Sequence, residues 1–191
     1  MWFTALWDHG LSFYQWGAVI IAALLGATFD VSTRKVPNVL SGTILATGFV
    51  WAFWLAGPSG LADAAAGCVM LLMPFLLLFV FGGGGAGDAK LMAGLGAWLG
   101  VVNGAVCLVC VAVSGVVMAV GFALVERRLG QVLRNVLAVS KAALFFLLIK
   151  RPRDISVELP RAQDMRKMPY GPSIFAGACL AAIGVFMWNV C

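Results

Sequence analysis

Residues 91–125 run without a single charged side chain. A membrane-crossing helix needs about 20 apolar residues, so this stretch is too long for one span and too apolar for a soluble surface. A weak polar break at Asn103-Gly104 divides it into a short helix and a longer one. Comparable uncharged stretches lie at 14–29, at 38–56, at 64–81, which Pro74 interrupts, and at 172–190; the second ends at Gly57-Pro58-Ser59-Gly60. The fold expected is all-α and integral to the membrane, with six transmembrane helices and a cytoplasmic or interfacial helical segment between the last two. Composition agrees: 62% of the residues are hydrophobic and 11% charged, against about 25% charged in soluble domains. The 191 residues suffice for one compact bundle, read as a single membrane-embedded domain over 1–191.

Charge gives the orientation. The formal net charge of +5 would hint at nucleic acid in a soluble protein. In a membrane chain it reflects topology, because cytoplasmic loops collect Lys and Arg. With the amino terminus outside, the inner loops are 30–37, 82–90 and 126–171, and all 13 basic residues fall in them. The outer loops near 57–62 and 100–104 contain none. Both termini are then periplasmic, and no nucleic-acid partner is expected. In the basic loop 126–171, apolar residues such as Val132, Val136 and Leu147 recur near helical spacing, with Arg134 and Lys141 between them. That pattern describes a helix in the headgroup layer, serving either as a surface anchor or in substrate capture.

Several features carry no chemistry in this reading. The five cysteines, Cys68, Cys107, Cys110, Cys179 and Cys191, are odd in number and scattered through apolar segments. They are expected to pack as small apolar groups, with no disulfide framework and no metal site. The amino-terminal apolar run lacks the basic start of a signal peptide, having Asp8 and His9 instead, and is read as a retained span. Trp2, Trp7, Trp16, Trp54 and Trp188 lie towards outer helix ends, as interfacial anchors do. Gly94, Gly96 and Gly100 fit close helix packing.

Two aspartates stand apart, each following a long apolar run. Asp30 begins Asp30-Val31-Ser32-Thr33-Arg34-Lys35-Val36-Pro37-Asn38, and Asp88 closes Gly85-Ala86-Gly87-Asp88 before Ala89-Lys90. Ionisable residues at a membrane edge are expensive and mark function. The topology puts both on the cytoplasmic side. The glycine run 82–87 contains a G-x-G-x-x-G pattern and the outer glycines of a phosphate loop, but no strand precedes it, and Asp88 and Ala89 replace the required Lys and Ser/Thr. Glycines here instead let another backbone approach Asp88. Asp30 alone reads as a helix-end residue near Arg34 and Lys35, with Pro37 starting the next helix and Asn38 satisfying local backbone groups. As a pair, one carboxylate can activate water while the other protonates a leaving amide nitrogen, and repulsion between them favours one shared proton. Such hydrolysis needs no metal or cofactor. Lys90 either orients Asp88, binds substrate carbonyls or snorkels to the surface. The competing readings are a proton-coupled transporter that uses the same acids as a relay, and a presenilin-like protease cutting within the bilayer. The near absence of polar groups in the spans opposes the first, and the lack of a Pro-Ala-Leu segment opposes the second.

Three segments resemble the type IV prepilin peptidases, leader peptidases of the GxGD aspartyl protease class. They are Asp30 with Pro37-Asn38, the run from Gly85-Ala86-Gly87-Asp88-Ala89-Lys90 through Gly100, and Met168-Pro169-Tyr170-Gly171-Pro172. The resemblance implies that Asp30 and Asp88 are the catalytic pair. It also implies that the substrate is a prepilin whose short basic leader is cut after a glycine at the cytoplasmic face of the bacterial inner membrane, in the service of pilus assembly. Gly85, Gly87, Lys90, Pro37 and Asn38 are then candidates for substrate binding or support. Larger members also methylate the new amino terminus and carry a Cys-rich insertion between their first spans. Here only residues 30–37 separate the first two expected helices. The chain thus resembles the short form associated with Tad-type (Flp) pili, which leaves methyl transfer open.

Overall fold

The computed structural model describes residues 9–33, 36–82, 85–125 and 170–190. Four helices account for nearly all of them: α1 (His9–Thr33), α2 (Asn38–Gly82), α3 (Ala86–Val125) and α4 (Gly171–Val190). No strand occurs among the described residues. The basic segment expected to lie at the interface falls outside them, apart from Tyr170 and Gly171.

Each helix is long and apolar enough to cross a membrane, which makes four candidate spans. The expectation of six separate spanning helices is therefore corrected. The divisions expected at Gly57-Pro58-Ser59-Gly60 and Asn103-Gly104 are not loops; they are replaced by single glycine breaks within continuous helices. Gly57 has φ 59° and ψ −141° in α2, and Gly100 has φ 66° and ψ −165° in α3. Side chains almost never adopt this region, and glycine enters it freely. Pro58 follows the first break, where its missing N–H removes no helical bond. The second break comes before Asn103-Gly104, because backbone conformation rather than side-chain polarity sets it. Gly104 itself is buried against Leu71 and Met70.

Both breaks turn the chain back. Lys90 bonds Asn38, so α2 and α3 start at the same end of the bundle. The end of α2, Gly82, is four positions before Ala86 and can be no more than about 14 Å from it. A straight helix of 45 residues would carry its end about 67 Å away. Likewise Ser114 Oγ donates to Ser173 O at 2.7 Å, in the first turn of α4. A straight α3 would put Ser114 about 39 Å from Asp88, yet α4 begins at the end where α3 does.

The first limb of α3 is the centre of the molecule: every residue from 91 to 97 is buried. Its small residues admit the neighbours. A methyl group on Gly94 would stand 2.8 Å from Ile44 Cγ2, and one on Gly67 of α2 would stand 2.5 Å from the Gly96 carbonyl. Helices in lipid associate through such close packing, since burial from water no longer drives them together. Trp16, Val19, Leu71, Leu91, Leu95, Cys107 and Ile174 complete the core. Outside, Ile21, Phe53, Val109 and Val116 are exposed apolar residues, as a lipid-facing surface requires. Trp54 and Trp188 also face outwards, but Trp16 is fully buried, correcting its reading as an interfacial anchor. It belongs to the core rather than to the lipid-facing surface. Trp2 and Trp7 lie outside the described residues. Among the described cysteines only Cys107 is buried, while Cys68, Cys110 and Cys179 are half-buried, and all four are free thiols; Cys191 lies outside the described residues.

The break at Gly100 leaves backbone groups without helical partners, and side chains meet them. Gln15 Nε2 donates to the Trp98 carbonyl, and Asp63 Oδ1 accepts the Val101 N–H at 3.2 Å. Trp98 Nε1 in turn donates to Ile44 O at 3.0 Å.

Candidate active site

Asp30 sits in the last turn of α1 and is 8% exposed. The hydroxyls of Thr28, Ser32 and Thr33 donate back to Leu25, Thr28 and Phe29 carbonyls in the same turns. Such back-bonding lets polar side chains sit at the membrane edge without leaving the helix. The Asp30 carboxylate does not turn back. Its Oδ2 accepts the Gly171 N–H at 2.8 Å. Gly171 is the first residue of α4, whose leading N–H groups have no acceptor within the helix and whose dipole favours a negative neighbour.

Asp88 lies in the first turn of α3 and is 6% exposed. Its N–H donates to the Gly85 carbonyl at 3.2 Å, closing the turn that starts the helix. The two glycines before it do different things. A methyl on Gly85 would stand 2.7 Å from Asp88 Oδ2, so glycine leaves the carboxylate its place. A methyl on Gly87 would instead meet Val36 Cβ at 3.1 Å, between α1 and α2. Gly87 thus serves packing, and Gly85, which is exposed, is the one that keeps space beside the acid.

The fold brings the end of α1 and the starts of α2, α3 and α4 together. Asp30 and Asp88 come within electrostatic reach of each other there, both nearly removed from solvent. Tyr170, just before α4, joins them. Partial burial, and then the Asp88 carboxylate, push its phenol above the ordinary value. Beside this cluster Lys90 Nζ donates to Asn38 Oδ1 at 2.8 Å, tying α3 to α2. Asn38 therefore spends its side chain on Lys90, not on its own backbone as expected. Helix α2 begins at Asn38, and the Pro37 carbonyl just before it accepts the Ser41 N–H at 3.2 Å. Among the described residues, no three of His, Cys, Asp and Glu gather to hold a metal ion.

A sequence profile of the type IV leader peptidase family matches residues 17–125. The chain belongs to the type IV leader peptidase family. It is accordingly a leader peptidase-like aspartic protease, and its apolar helices make it a multi-pass membrane protein. No curated protein and no solved structure matches the chain. The matched region holds both aspartates and ends before α4. Gly171 lies beyond it and was not among the site residues expected from the sequence, although the Met168-Pro169-Tyr170-Gly171-Pro172 segment was singled out. That segment was the available signal. A backbone donor leaves no residue-type mark of its own.

Proposed function

We propose that Asp30 and Asp88 are the catalytic pair of a prepilin leader peptidase. One carboxylate takes a proton from a water molecule, and the water oxygen bonds to the scissile carbonyl carbon. The protonated carboxyl then delivers its proton to the amide nitrogen, and the C–N bond breaks. The leader departs with a new carboxylate and the pilin keeps a new amine. The observation that carries this reading is the convergence of two buried carboxylates from different helices at one end of the bundle, in a chain of this family.

The substrate is a type IV prepilin of the Flp or Tad class, its apolar helix beside the bundle and its basic leader at the cytoplasmic face. What supports the short form is the connection from Thr33 to Asn38, which leaves no room for an inserted domain. The reversals at Gly57 and Gly100 support two crossings each for α2 and α3. With the basic residues held inside, the termini are periplasmic, the active site faces the cytoplasm of the inner membrane, and residues 1–191 work as one peptidase domain supplying a pilus assembly system. Gly85 gives the substrate backbone access to Asp88, while Lys90, Asn38 and Pro37 brace the helix starts around it.

Asp30→Asn and Asp88→Asn will each insert normally and abolish processing of a co-expressed Flp-type precursor, read as its mobility shift on a gel. Normal maturation by either variant rejects the assignment.

A further inference from the structure

We infer that Gly171 is a positioning residue: its backbone N–H, presented at the start of α4, holds the Asp30 carboxylate facing Asp88. The inference rests on the catalytic reading above and adds a third helix to the site. Four observations carry it. The bond from Gly171 N to Asp30 Oδ2 is 2.8 Å and buried. A methyl on Gly171 would lie 2.8 Å from both Ala27 Cα and Asp30 Cβ, so only glycine brings the amide this near to α1. The turn that presents it is fixed from several sides. Ser114 of α3 donates to Ser173 O at 2.7 Å, and the Tyr170 carbonyl accepts the N–H groups of Ser173 and Ile174 and the Ser173 hydroxyl. Finally, the supports of the two acids are unequal: among the described residues a donor meets the carboxylate of Asp30 and none meets that of Asp88.

The chemistry explains why such a donor matters. An aspartate side chain rotates about two bonds, and each productive contact needs its oxygen near one orientation. A fixed N–H at a helix start selects that orientation, and the dipole behind it adds to the attraction. Small losses of alignment lower the rate of the chemical step and leave substrate binding untouched.

The test uses the full chain in lipid nanodiscs. Its probe is a synthetic peptide with a basic leader, a glycine at the scissile bond and an apolar helix of about 20 residues. Replacing Gly171 by glycolate, through cell-free translation, turns the amide into an ester that lacks the N–H and adds no bulk. The expected result is a kcat lowered about tenfold to a hundredfold, in line with a lost hydrogen bond to a charged group, and a KM within about twofold of the parent. Gly171→Ala will lose at least as much, and should it fail to insert, the ester variant decides. The same ester at Gly184, which faces open space on α4, removes a helical bond from α4 and will leave kcat within about twofold. An ester at Gly171 that keeps parental kcat, or that raises KM alone, overturns the inference. So does an equal loss from the ester at Gly184, which would mean mere weakening of α4. Should Asp30→Asn process normally, the catalytic reading falls and this inference with it. An inactive Asp30→Asn beside a fully active ester overturns the inference alone.

Discussion

Glycine at position 85 works by what it lacks. The space a side chain would fill is held by the Asp88 carboxylate, 2.7 Å from where a methyl carbon would stand. Gly85→Ala must push that carboxylate away, and the surface position of Gly85 spares the core. Processing is expected to fall at least about tenfold, as misplacement near an ångström does, while the thermal midpoint in detergent changes little. Parental activity in this variant would show that Asp88 does not need the space. Gly87→Ala differs in kind, since its methyl meets Val36 rather than an acid. The acids themselves were legible in the sequence because a charge beside a long apolar run has few structural uses. The division of labour between the two glycines was not legible. It depends on which neighbour each one faces, and that is fixed only when α1, α2 and α3 meet.

At the level of the helix, α3 is shaped by its break. Gly100 adopts a conformation closed to other residues, and Asp63 fills the space beside it while taking the Val101 N–H. Gly100→Ala combines an unfavourable backbone conformation, costing about 1–3 kcal/mol, with a collision against Asp63, so its unfolding midpoint in detergent should drop clearly. Asp63→Ala loses a cap, worth about 1 kcal/mol, and should drop it less. Equal stability of the parent and Gly100→Ala would mean that the break is not needed. The sequence placed this interruption at Asn103-Gly104, since a polar residue is the visible feature of an apolar run. Position 100 holds one of many glycines, and nothing in its residue type tells a turning glycine from one that admits a neighbouring helix. Trp16 differs from its reading for a related reason: a tryptophan near a helix end suits both an interface and a core, and the packing of α1 into the bundle chose the core.

For the whole molecule, the two reversals put the turns of α2 and α3 at one end and the acids at the other. Single cysteines placed in a background without the native thiols report this directly. Ser59→Cys and Asn103→Cys will react with an impermeant thiol reagent added outside spheroplasts, and Thr33→Cys only after the membrane is opened. Labelling of all three from the same side would refute the arrangement. The bundle has a further consequence in time. Asp30 is made early, Asp88 in mid-chain, and the amide that steadies Asp30 belongs to the last described helix. A half-synthesised enzyme therefore holds both acids in the bilayer but lacks the grip on one of them. On the inference drawn above, Asp30 lacks its donor until α4 has been made, so a ribosome-bound chain is expected to cut the pilins inserting beside it more slowly than the finished bundle does.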